Sequence, residues 1–116
     1  MDQRNKDRGA EINHDEEILD MDQLLRENKR VIIRTVTHSY IGRIRRVHIT
    51  PDGKVVAVVL NPAGWMADGG IRHGTLMSNG LSEKTEIEMY PRGTVVFGGG
   101  LIDIAPWIHE LPTKSQ

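Results

Sequence analysis

Apolar positions along the chain follow two periods, and the change comes at residue 30. Before it, Ile18, Met21, Leu24 and Leu25 recur at helical spacing. Asn13 followed by Glu16 has capping-box spacing, Asp15, Glu16 and Glu17 suit the positive end of a helix dipole, and Arg26 suits the negative end. The pattern predicts an amphipathic helix over 14–28, behind a polar flexible arm over 1–12 that has no apolar period. From Arg30 the β-branched residues take over. Residues 30–36 (RVIIRTV) and 41–50 (IGRIRRVHIT) read as strands, with Gly42 marking a bend, a bulge or a close backbone approach. Pro51-Asp52-Gly53-Lys54 is a turn that makes a hairpin with a third strand, VVAVVL (55–60). That strand is apolar on both faces and is therefore expected to be the central, most buried one.

Asn61-Pro62-Ala63-Gly64 is expected to end that strand. Residues 64–82 then read as an insertion with one helical turn near 73–78, packed by Trp65, Met66, Leu76 and Met77. TEIEMY (85–90) alternates, with Ile87 and Met89 inward and Glu86 and Glu88 outward. A Pro91-Arg92-Gly93 turn leads to TVVF (94–97), a Gly98-Gly99-Gly100 turn and LIDIAPWI (101–108), and residues 111–116 form a tail expected to fray. The expected architecture is mainly β: an N-terminal helix, then a five-stranded, strongly bent SH3/Sm-like small barrel with an insertion between strands three and four. A single domain over 13–110 holds it.

Composition narrows the chemistry. The 116 residues contain no cysteine, which excludes disulfides, thiolate metal sites and a cysteine nucleophile, and suits a reducing compartment. No run approaches the ~18 apolar residues of a membrane span, and the first residues are too polar for a signal peptide, so a cytoplasmic location is the expectation. The net charge of -1 hides a sharp asymmetry. Residues 1–28 hold nine acids and four bases, whereas 29–46 hold six bases (Lys29, Arg30, Arg34, Arg43, Arg45, Arg46) and no acid. An acidic arm beside a basic segment can dock on it, within one chain or on a neighbour.

The order of elements resembles the Sm-like (Lsm and Hfq-like) small β-barrel. Lys29 to Arg34, Gly42-Arg43-Ile44 and Val58-Val59-Leu60 are similar to the first Sm motif, and Gly93 to Ile104 to the second. The resemblance implies a closed oligomer in which the fourth strand of one barrel pairs with the fifth of the next. It also implies a uridine pocket in the loop between strands two and three. Here that loop, Thr50 to Lys54, has Asp52 but no asparagine, and Phe97 stands where the second motif has its arginine, so the chain departs from the RNA-binding pattern. A second resemblance, carried by Val31 to Thr37, Gly42, Trp65 and Leu76, is to small proteins of tailed phages and prophages that have no assigned activity. It implies association with other phage structural proteins and, for a phage-encoded chain, a place in the virion.

Catalytic chemistry finds little support. The histidines at 14, 38, 48, 73 and 109 lack metal-ligand spacing, so no metal or cofactor is expected. The triple glycine lacks the Lys-Ser/Thr of a phosphate loop, and the serines lack a nucleophile elbow. Candidate nucleic-acid or anion contacts are Arg34, Arg43, Arg45 and Arg46. Strict strand alternation, however, would put 43 and 45 on one face and 46 and 48 on the other. Both tryptophans and Phe97 are expected in the core or an interface. Trp65, Arg72 and His73 form a candidate ligand pocket, and Ile87, Met89, Leu101, Ile102 and Ile104 a candidate subunit interface. The expected function is that of a non-enzymatic, self-associating, ring-forming structural or interaction module. Single-strand RNA or nucleic-acid binding and small-ligand or nucleotide sequestration are the alternatives.

Overall fold

A computed structural model describes residues 18–116 and shows a mainly β chain. Its elements are a helical turn α1 (Met21–Leu24), strands β1 (Arg30–Thr35), β2 (Ser39–Ile49) and β3 (Val55–Asp68), helix α2 (His73–Asn79), then β4 (Glu86–Met89), β5 (Thr94–Phe97) and β6 (Leu101–Pro106). Over the described part of the expected helix, 18–28, the reading is corrected to this one turn; 14–17 and the arm over 1–12 lie outside the described residues. Asn13 and Glu16 lie outside the described residues, and the N-cap is Asp20, whose side chain accepts from the Asp22 amide. The turn stops early because Asn28 takes a left-handed conformation (φ 74°) and its N–H donates to the Ile44 carbonyl, turning the chain onto the sheet.

All strand pairs are antiparallel, in the order β4-β3-β2-β1-β6, with β5 also on β3. The barrel expectation is corrected in two respects: among the described residues there are six strands, and their ladder does not close. β5 and β6 follow one another through a 3-10 turn, Gly98–Gly100, yet pair with β3 and β1 and not with each other. The sheet nonetheless curls. Val96 of β5 and Leu101 and Ile104 of β6, from opposite ends of the path, pack on one core with Leu24, Val31, Ile33, Ile44, Val58 and Leu60. We call this the inner face. The outer face has its own core of Ile32, Ile41, Met66, Leu76, Ile87 and Trp107.

This arrangement relocates the most buried strand. In β1, Val31 and Ile33 face the inner core and Ile32 the outer one, and all three are completely buried. In β3, by contrast, Val56 is 46% exposed, the residue left unpaired at the register shift between Ala57 and Val55. Nor does β3 end at Pro62. Four residues of β3 (Leu60 to Ala63) stand against three of β2 (Gly42 to Ile44), so Asn61 and Pro62 sit in a bulge, where a missing N–H costs no ladder bond. Below the bulge β3 pairs with β5, and above it with β4. Gly42 lies against the bulge: a Cβ there would stand 2.5 Å from the Pro62 carbonyl oxygen, which is the close approach expected of it.

The tail does not fray. Gln116 exchanges both backbone hydrogen bonds with Ile87 (2.9 and 3.0 Å), Ser115 Oγ accepts from the Met89 amide, and Leu111 packs on the outer core. Every second residue of a lone edge strand presents unpaired polar groups, and here the end of the chain satisfies them for β4.

Candidate interaction surface

The basic residues of β2 decide what its outer side can do. Ile44 pairs with Leu60 and Arg46 with Val59, so β2 carries one extra residue, Arg45. A bulge of this kind shifts the phase of everything after it. Ile44 and Val47, three apart rather than two, both pack on the inner core. Arg45, Arg46 and His48 are exposed on the side away from it, and Arg43, half-buried, precedes Ile44 on that same side. The alternation expected from the sequence is thereby overturned: Arg43, Arg45, Arg46 and His48 form one row. The signal was present in the sequence as the odd spacing of Ile44 and Val47 between the arginines.

Asn28 anchors the upper end of this row. Arg43 Nη1 donates to its backbone carbonyl and Arg45 Nη1 to its side-chain Oδ1, each at 2.9 Å. Arg30 pairs directly with Arg43 across β1 and β2, and its Nη1 donates to the His109 carbonyl (2.7 Å). Both arginines line a cleft of about 660 Å³ with Asn61, Tyr90 and Glu110. Like charges directly opposite each other disfavour a sheet, so Arg30, absent from the sequence-based candidates, belongs to this basic feature. Arg34 does not. It makes a bidentate ion pair with Asp103 of β6 (Nη2–Oδ2 2.5 Å), which holds the Asp103 carboxyl below its ordinary range and the Arg34 guanidinium above its own.

Beside the basic row the outer face is apolar, with Val95 and Phe97 exposed and Ala57 buried between its partners His48 and Phe97. Arg46, Val59 and Val95 are consecutive cross-strand partners on β2, β3 and β5, and His48, Ala57 and Phe97 form the next row. Phe97, expected in a core or interface, is 70% exposed. Its neighbour Val96 faces the inner core, so alternation turns Phe97 outward.

Trp65, Arg72 and His73 do not converge. Trp65 stacks edge-on against His38 (5.1 Å between ring centres), which also meets Tyr40 at 4.8 Å. Arg72 lines a shallow depression along α2 with Gly74, Thr75, Ser78 and Asn79. Burial pushes the His38 imidazole below its ordinary value, and its Nε2 has no hydrogen-bond partner among the described residues. Burial raises the Tyr40 phenol, with a smaller contribution from Tyr90.

Of the interface candidates, Ile87 is completely buried and Met89 is on β4, whose outer edge the tail occupies. Leu101 and Ile104 pack on the inner core, while Ile102 is 58% exposed on β6. Among the described residues no group of His, Asp and Glu is arranged to hold a metal ion, and no helix is long and apolar enough to cross a membrane. No protein-family model matches the chain, and a search of the curated proteins finds no match.

Proposed function

We propose that the chain is a non-enzymatic interaction module that self-associates through the open edges of β5 and β6. The observation that carries this reading is selective capping. The tail covers the outer edge of β4, whereas β5 and β6 each pair on one side only among the described residues. Both open strands carry exposed apolar side chains, Val95 and Phe97 on β5 and Ile102 on β6. Unpaired strand edges of this kind invite a further strand.

Along the path β5-β3-β2-β1-β6 the two open strands lie at opposite ends. Pairing β5 of one copy with β6 of the next is therefore head-to-tail, and such contacts make a ring when the rotation closes. In its finer form this is the SH3/Sm-like barrel reading: curled sheets set side by side continue one another's ladders.

Light scattering on the full chain at micromolar concentration tests the reading. An oligomer is expected, and Val95→Lys with Ile102→Lys, which places a charge on each edge, should return it to monomers with an unchanged fold by circular dichroism. A monomeric wild-type chain would overturn the proposal.

A further inference from the structure

We infer that the outer face below the Asn61–Pro62 bulge, with Arg45, Arg46 and His48 of β2 and Val95 and Phe97 of β5, docks on the anionic surface of a lipid bilayer. Three observations carry it. First, charge and apolar surface lie on one side of the same sheet. The rows Arg46–Val59–Val95 and His48–Ala57–Phe97 contain no acid, and Asp52, in the turn beyond Ile49, accepts from the Thr50 hydroxyl. Second, the exposed apolar pair joins an aromatic ring to an aliphatic side chain, Phe97 at 70% and Val95 at 43%. Both can enter hydrocarbon, whereas a valine offers no π-face to a planar ligand. Third, the charge is polarised. The exposed acids Glu83, Glu86 and Glu88 stand at β4, above the bulge, and the bases stand below it.

A net charge of -1 gives the chain as a whole no attraction to an anionic surface, so this polarity must orient it, bases toward the lipid and acids away. Lasting attachment of a peripheral chain takes two weak signals together, such as an apolar insertion and a cationic patch. This face holds both, and it needs no membrane-spanning helix. Two strand spacings put Phe97 about 10 Å from His48 across the sheet. With the ring sunk at the boundary between headgroups and acyl chains, the bases lie within a Debye length of about 10 Å from the lipid phosphates. Their attraction is then little screened. The inference does not rest on self-association, because edge pairing lies in the plane of the sheet and leaves the face open.

Flotation of the full chain with vesicles tests the inference, using phosphatidylcholine alone and phosphatidylcholine with about 30% phosphatidylserine. The wild-type chain should float with the anionic vesicles at low salt and stay unbound with the neutral ones. It should be released as salt rises to about 0.5 M. Arg46→Gln should weaken partitioning about fivefold, the effect of one base near a charged lipid surface. Phe97→Ala should weaken it about tenfold, whereas Phe97→Leu, which keeps an apolar side chain and loses the ring, should stay within about twofold of wild type. Light scattering should show one oligomeric state for wild type and all three variants. The inference is overturned if the wild-type chain does not bind anionic vesicles, or binds neutral ones equally. It is equally overturned if Phe97→Leu binds as weakly as Phe97→Ala, which would make the ring a platform for a planar ligand, or if the losses follow a change of oligomeric state.

Discussion

On one half of the outer face, over β1, the upper parts of β2 and β3, and β4, helix α2 and the chain from Trp107 to Gln116 cover the sheet. On the other half, over lower β2, lower β3 and β5, nothing among the described residues covers it. Both halves present side chains from the same alternating strands, yet Ile32, Ile41 and Ile87 are completely buried on the first, while Val95 and Phe97 stand in solvent on the second. The difference lies in what the chain brings over each half rather than in the strands. A sheet face becomes core only when a segment of matching apolar content returns to it. Here Leu76, Met77, Trp107 and Leu111 return to one half and, among the described residues, none of that kind to the other. The bare half is also where the bulge gathers the arginines, so exposure and charge coincide.

The largest test of this contrast exchanges aromatic residues. Trp107 is 2% exposed, and its indole N–H donates to the Glu110 carbonyl at 3.1 Å. Trp107→Ala should lower the stability measured by urea unfolding by about 3–5 kcal/mol. Phe97→Ser, on the bare half, should change it by less than about 0.5 kcal/mol. Equal losses would mean that the second half is covered after all. Glycines give the next contrast. Gly42→Ala drives a methyl group toward the Pro62 carbonyl, a backbone atom fixed by the bulge, and should cost about 1–3 kcal/mol. A Cβ at Gly99 meets nothing within 4 Å, and Gly99→Ala should be near neutral.

The sequence made the strands legible wherever local chemistry decides: the Pro51 to Lys54 turn closes with the Thr50 amide on the Lys54 carbonyl, and α2 falls where the helical turn is expected. It hid whatever depends on distant partners. Val55 to Leu60 is as apolar as Val31 to Ile33, but among the described residues only the second stretch has segments to cover both of its faces. HELPTKSQ looks like a tail, and nothing local says that Ser115 and Gln116 will find the edge of β4. For the candidate surface, Arg43, Arg45 and Arg46 were visible as residue types. Their common side was not, because it follows from a single unpaired residue in a ladder. Arg30 became a candidate only when β1 set it opposite Arg43.

Shortening the chain by two residues tests whether coverage of the β4 edge is separate from coverage of the face above it. Without Ser115 and Gln116, the Ile87 and Met89 amides lose their acceptors, and the Ser82 and Thr85 carbonyls lose their donor, Gln116 Nε2. Net hydrogen bonds are worth about 1 kcal/mol each and several are partly exposed, so a loss of about 1–2 kcal/mol is expected. Hydrogen exchange should quicken at Ile87 and Met89 and stay unchanged at Ile32 and Ile41. Acceleration at all four would show that edge and face open as one unit.

The smallest effect concerns coverage on the inner side, where a proton can report it. His38 packs between Tyr40 and Trp65, and its Nδ1 lies 2.7 Å from the Thr37 hydroxyl. Burial lowers its folded-state pKa below the ordinary 6.5, so as pH falls the unfolded chain takes up this proton before the folded one. Stability rises with pH, and is lost as pH drops, wherever the unfolded state binds more protons. The contribution is therefore complete above the ordinary histidine pKa and declines as pH drops from there toward the lowered folded value. His38→Phe keeps a ring against Tyr40 and Trp65 and removes both the titration and the unpartnered Nε2. Melting temperatures measured from about pH 7.5 to about pH 5 should converge at the high end less than they diverge at the low end, with the variant holding its stability as the wild type declines. Parallel curves would place the imidazole in solvent, and the aromatic cover over the β1–β2 turn would then be open.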